Sequence, residues 1–293
     1  MSARLAALLL CIAGVAHAGE PFSAVEKARV LAHGSWPPAP RDASQREVIA
    51  LGERLFFEPR LSGTGSVLCA SCHVPYRAFQ DARTRAFGLE EVERNTPTLL
   101  NVAFYGRYGW DGARESLSAQ SIRPLLEARE MRSSAAHVAA FVRHRLADDY
   151  AGAFGAPPPA DDERVLADVG RALAAYQGTL ITGRTPFDDF RDALERGAAA
   201  AMARYPLAAQ RGLRTFIGKA GCSACHAGAL FSNGAIVGGV RIPGLRNVAL
   251  TAPYMHDGSI ATLGDAVRHQ AALTPRESED LLAFLESLTE KPH

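Results

Sequence analysis

Cys69-Ala-Ser-Cys72-His73 and Cys222-Ser-Ala-Cys225-His226 are two copies of one pattern, and together they use every cysteine except Cys11. Two thiols about one helical turn apart can form thioethers with the two vinyl groups of a haem. The imidazole next to the second thiol can then reach the iron. A redox dithiol would not need the following histidine. A structural zinc site pairs its half-sites within about 15–20 residues, whereas these lie about 150 residues apart. Two covalently attached haems are therefore expected, with His73 and His226 as proximal ligands.

The N-terminus agrees with that chemistry, because c-type haem is attached outside the bacterial cytoplasm. Arg4 precedes an apolar run from Leu5 to Val15, and Ala16-His17-Ala18 is a small-x-small cleavage signal. This reads as a secretory signal peptide removed after Ala18. The run is well short of the roughly 20 residues that span a bilayer. Cys11 leaves with it, and Leu10 stands where a lipid-acceptor cysteine needs a small neighbour. No later segment is apolar enough to cross a membrane, so a soluble periplasmic protein is expected. Basic and acidic residues nearly balance, 32 against 31, which argues for neither nucleic acid nor an anionic membrane as partner.

The elements that must carry the motifs are repeated. The stretch from Thr96 (TPTLLNVAFYGRYGWDGARESL) aligns without a gap to that from Ile242 (IPGLRNVALTAPYMHDGSIATL) at an offset of 146. The shared positions include Pro97/Pro243, Asn101/Asn247, Tyr108/Tyr254, Asp111/Asp257 and Gly112/Gly258. Gly52-x-x-x-Phe56 before the first haem motif echoes Gly212-x-x-x-Phe216 before the second. Helical periodicity runs through residues 41–57, 165–182 and 205–217. Thr274, Pro275 and Glu277 form a capping box for a last helix. The expected fold is all-α: two cytochrome c-like haem domains related by internal duplication, with long loops. Gly155 to Asp162 (GAPPPADD) reads as a linker. It divides the mature chain into residues 19–160 and 161–293, with the last helix able to pack back on the first domain.

The ordered set of both CxxCH motifs, RNTPTLLN, GWDGARESLSAQ and LRNVALTAPYMHDGSIATL resembles the bacterial diheme cytochrome c peroxidases and the related MauG-type enzymes. The resemblance covers nearly all of the mature chain. It implies that the N-terminal haem is the peroxide site and that the C-terminal haem receives or stores electrons. Trp110 stands where that family has a tryptophan between the haems. The resemblance also implies that Gln120 orients peroxide, that Pro124 packs over the open face and that Glu130 is the general acid–base. Gln120 and Pro124, four residues apart, share a helical face. The histidine that blocks the peroxide site in classical members has no counterpart, because no histidine occurs from Val74 to Ala136. Haem 1 is therefore expected to be five-coordinate.

At haem 2 the family's methionine or tyrosine ligand is missing, since no tyrosine follows Tyr254 and no methionine follows Met255. By the offset, Pro124 maps to Gln270, and His269 is the obvious substitute ligand one residue away. One residue is about 100° of helical rotation, so His269 would need a register shift. An open site or Gln270 are the alternatives. His256, the mate of Trp110, reads as a propionate or inter-haem residue. The resemblance further implies calcium held by the Asn95 side chain and the carbonyls of Thr251 and Pro253, and a homodimer. The expected partners are hydrogen peroxide and a small cytochrome c or cupredoxin as electron donor. Two rivals are a MauG-like oxidase that modifies a tryptophan or tyrosine on a partner protein, and a plain electron-transfer cytochrome. The stretch Gly218 to Gly221 lacks the tryptophan through which MauG-type relatives take up substrate holes. The exported protein is expected to have the intact mass of residues 19–293 plus two haems; a mass short of two haems overturns the reading of the CxxCH motifs.

Overall fold

Most helices of this chain begin where a hydroxyl or carboxylate side chain can satisfy their first free N–H groups. Thr274 accepts from Glu277 N, and the Glu277 carboxylate accepts from Thr274 N, with Pro275 in the first helical position, as the capping box predicts. The computed structural model describes residues 21–36 and 46–290. The export segment, residues 1–18, lies outside the described residues. Along the chain run α1 (Ala24–Leu31), α2 (Arg46–Phe56), α3 (Cys69–Cys72), α4 (Leu117–Leu126), α5 (Ala135–Arg145), α6 (Ala147–Phe154), α7 (Asp162–Gln177), α8 (Pro186–Arg196), α9 (Ala199–Met202), α10 (Leu207–Ile217), α11 (Leu263–Gln270) and α12 (Pro275–Glu286). A two-residue antiparallel hairpin, β1 (Ile236–Val237) with β2 (Val240–Arg241), sits in one of the long connections. The fold is mostly helical with long loops, as the periodicity implies.

Buried side chains form two cores. The first gathers Leu55, Phe56, Leu61, Leu125, Val138, Leu166 and Leu173. The second gathers Val30, Phe187, Phe216, Phe231, Phe284 and Leu288. Their boundaries depart from a division at residue 160. Helix α7 packs on α2, α4 and α5, and buries Val165, Leu166, Val169 and Leu173 in the first core. The second core takes in α1 from the start of the chain, through Val30. The segment Gly155 to Asp162 is accordingly a loop within the first body. Arg143 donates to the carbonyls of Pro159 and Ala160 and pairs with Asp162 at 2.6 Å. Proline and glycine content signals a loop but cannot show that a guanidinium pins it. The last helix, α12, lies against α10 and α11.

Each core has a very close helix crossing. A Cβ built on Gly52 would lie 1.9 Å from the carbonyl oxygen of Ala172, and one on Gly212 would lie 1.9 Å from that of Asp280. Only glycine lets α2 meet α7, and α10 meet α12, at that separation. The same crossings bury Phe56 and Phe216, each 1% exposed, one turn later in the two cores. Replacing Gly52 or Gly212 by alanine should therefore force the helices apart. We expect a destabilisation of about 2–3 kcal/mol for either variant, read as a lower denaturant midpoint, with the haem of the altered half exposed first.

Candidate functional site

The two haem motifs adopt the same local geometry. Cys69–Cys72 is a single helical turn and Cys222–Ala224 a 3-10 turn, and His73 N and His226 N both donate to the carbonyl of the first cysteine at 2.9 Å. His73 Nδ1 lies 3.1 Å from Phe79 O, and His226 Nδ1 lies 3.0 Å from Phe231 O. A carbonyl can only accept, so Nδ1 holds the proton and Nε2 keeps its lone pair for a metal. Phe79 and Phe231 take φ of 55° and 56°, a left-handed conformation that side chains this large seldom adopt. That strain recurs at matching places and aims both carbonyls at the histidines. Burial lowers the pKa of both imidazoles, which keeps them neutral. It pushes the Cys69 thiol up to about 12 and the Cys72 thiol up to about 11. A redox dithiol requires the opposite shift, toward the thiolate. Half-buried neutral thiols beside a neutral imidazole fit thioether attachment of haem with an iron ligand.

All six of these residues line one cavity of about 1070 Å³. It lies at the upper end of the roughly 300–1000 Å³ typical of a ligand pocket. Its wall on the side of the first motif comes from α4. Gln120 and Pro124 both line it, as their spacing implies. Pro124 removes an N–H inside the helix, and α4 ends two residues later at Leu126. Glu130 follows on the same wall, accepting from Arg123 Nη1 at 3.0 Å. Burial is the main influence on the Glu130 carboxyl and raises its pKa, with Arg123 pulling the other way.

Trp110 lies where the two halves meet. Its indole N–H donates to Asn95 O at 2.8 Å, and its ring centroid is 6.5 Å from that of His256. The loops that carry these two rings are built alike. Tyr108 pairs with Arg114, and Tyr254 with Ile260. Asp111 Oδ1 accepts from Ala113 N at 3.0 Å, and Asp257 Oδ1 accepts from Ser259 N at 3.1 Å. The first loop turns through Gly109 at φ 79° and Gly112 at 63°, the second through Met255 at 72° and Gly258 at 65°.

The side of the second motif is walled by α11. Helix α11 turns Ala266, Val267 and Gln270 into the cavity, while His269 is exposed and is not among its lining residues. The register stays as the repeat sets it, so His269 points about 100° away. The Gln270 amide contacts Met255 Sδ at 3.8 Å instead. Asn95, Thr251 and Pro253 all line the cavity. Asn95 Nδ2 donates to Arg83 O at 2.7 Å, which sets the orientation of the amide. Among the described residues no backbone donor reaches the carbonyls of Thr251 or Pro253. An oriented amide and two unused carbonyls are an oxygen set of the kind calcium accepts.

Sequence reasoning passed over Tyr105, Arg94 and Arg241, which also line the cavity. The Arg94 guanidinium meets His256 Nδ1. For Arg241 a signal was present, because it is the mate of Asn95 at the offset of 146.

The sequence profile of the family described as di-haem cytochrome c peroxidase matches residues 46–196. A methylamine utilization protein MauG of Methylorubrum extorquens is 33% identical over 94% of this chain and 88% of its own length. The cytochrome c551 peroxidase of Pseudomonas aeruginosa is 31% identical over 86% of this chain and 80% of its own. Among solved structures, a MauG-like protein associated with microbial copper homeostasis superposes with a TM-score of 0.71 and 28% identity, covering 88% of this chain and 94% of that one. The diheme peroxidase BthA of Burkholderia thailandensis shares the fold, also at 0.71, with 24% identity over 86% and 87% of the two chains. Similarity of this extent coincides with two haem-attachment motifs that open on one cavity, and the chain belongs to the di-haem cytochrome c peroxidase family.

Proposed function

We propose that this protein is an exported peroxidase that reduces hydrogen peroxide to water with electrons from a small cytochrome c or cupredoxin. The observation that carries this reading is the wall over the first haem motif. Gln120, Pro124 and the half-buried Glu130 face the cavity there, and no histidine from residue 74 to 136 is available to close it. The haems, when bound, supply the irons that exchange electrons with peroxide at the first site and with the donor at the second. Converting one peroxide into two waters takes two electrons and two protons. Gln120 offers an amide to orient the oxygen pair. Glu130 takes the proton of the near oxygen and returns it to the departing one, and Arg123 holds the carboxylate in place. The Trp110 ring, fixed by its bond to Asn95 O, stands between the two motifs on the path of the electrons. Calcium at Asn95, Thr251 and Pro253 would rigidify the same junction. The matched turns and loops support a duplicated haem unit, and periplasmic location fits both the leader and covalent haem.

A second reading is favoured by the likeness to MauG: a protein-modifying oxidase built on the same site. The absence of a tryptophan at residues 218–221 and of a tyrosine after Tyr254 weighs against it.

An electron paramagnetic resonance spectrum of the oxidised protein, repeated after peroxide is added, tests the leading reading. A high-spin signal that peroxide abolishes is the expected result. Two low-spin signals indifferent to peroxide would leave an electron carrier or an enzyme that must first be reduced. Glu130 also dictates a pH profile. Its base form is the active one and its pKa is raised, so kcat/KM should climb with pH through a value above the ordinary glutamate 4.5. Glu130→Gln should abolish that limb and lower kcat about 100-fold or more, while both haems remain attached.

A further inference from the structure

Positions 95 and 241 are separated by the offset that relates Trp110 to His256. They make the same backbone bond with the halves exchanged. Asn95 N donates to His256 O at 2.9 Å, and Arg241 N donates to Trp110 O at 2.7 Å. Each half reaches the aromatic loop of the other by an equivalent bond, the pattern of a two-fold contact in which one surface meets its own copy. The side chains at these two positions differ in kind. Asn95 offers neutral oxygen and nitrogen atoms. Arg241 offers a guanidinium whose charge cannot be lost.

Arg241 is 7% exposed. Its Nε donates to Gly109 O at 3.2 Å, its Nη1 lies 3.5 Å from Ile242 O, and its Cζ stands 4.1 Å from the centroid of the Tyr105 ring. Tyr105 is itself held, because its hydroxyl accepts from Gly244 N at 2.8 Å. Among the described residues every polar partner of the guanidinium is thus neutral. The other arginines that line the cavity, Arg94, Arg114, Arg123 and Arg129, are exposed; Arg241 is the buried one. A buried cation with only neutral partners is costly unless an anion joins it. It lines the cavity shared by both haem motifs, and each haem brings two carboxylates.

We propose that Arg241 is the internal counter-charge for a haem propionate at the junction of the two halves. It supplies there the positive charge that a metal ion would supply at the equivalent position, Asn95. The inference rests on the di-haem reading and adds a positioning residue to it. Its guanidinium is carried by the backbone bond to Trp110, so it also holds one haem in register with the tryptophan loop.

The test uses the holoprotein with Arg241→Gln and Arg241→Lys, first assayed for haem content by pyridine haemochrome. Removing a positive charge beside a propionate disfavours the reduced iron. Arg241→Gln should therefore lower the midpoint potential of one haem more than the other, and shift a propionate bending band in resonance Raman. Arg241→Lys should keep the potential near that of the wild type but still move the band, because an ammonium lacks the planar fork. Wild-type potentials and bands in Arg241→Gln, at two haems per chain, overturn the proposal. Should that variant not fold, an unmoved propionate band in Arg241→Lys overturns it equally. Fewer than two haems in the wild-type protein would instead sink the di-haem reading.

Discussion

The structure turns on the meeting of its two halves at one cavity. Two backbone hydrogen bonds, from Asn95 to His256 and from Arg241 to Trp110, join the loops that carry the aromatic rings. The walls facing the two CxxCH motifs are anchored to those same loops. The first loop leads directly into α4, which carries Gln120 and Pro124, and the second leads into α11, which carries Gln270. If the loops moved apart, the distance between the two haem sites and the position of Trp110 would both be lost. A short, directional contact can set such a distance where apolar packing alone would tolerate sliding, because hydrogen bonds weaken steeply outside their preferred geometry.

Behind the loops, packing makes each half rigid enough to present its motif. Gly52 and Gly212 bring pairs of helices into backbone contact, and the phenylalanine one turn later is buried in the core of each half. Where the N-terminal segment joins the second core, Asp188 and Arg246 form a fully buried two-pronged pair, 1% and 2% exposed. Trp36 covers the guanidinium at 3.8 Å and donates to Thr182 O at 2.8 Å. Removing one partner of such a pair leaves an uncompensated buried charge, at about 3–5 kcal/mol. The beginning of the chain is thus tied to the second half by charge as well as by Val30.

Much of the site was legible before any coordinates. The CxxCH spacing is a covalent requirement, so both haem motifs, their histidines and their order could be read directly. The helical face shared by Gln120 and Pro124 follows from a period of 3.6 residues, and the capping box at Thr274 from local hydrogen bonding. Other features depend on how distant segments meet. Residues 155–162 are rich in proline and glycine, yet Arg143 donates to the carbonyls of Pro159 and Ala160 and α7 packs into the first core. His269 has the chemistry of a ligand, and the rotation of α11, with Val267 buried, turns Gln270 toward the cavity.

The sequence by itself determined the chemistry at each motif, since that depends on residue types at short, covalently set spacings. It also determined that haem 1 has no local histidine to close it. Only the tertiary structure decided that both motifs share a single cavity and that Glu130 is buried enough for its pKa to rise. The same holds for the burial of the Arg241 charge between the halves. Burial and long-range contact depend on which faces of distant helices meet. That choice is made by the sum of many weak packing contacts across the whole chain, and no single window of sequence contains it.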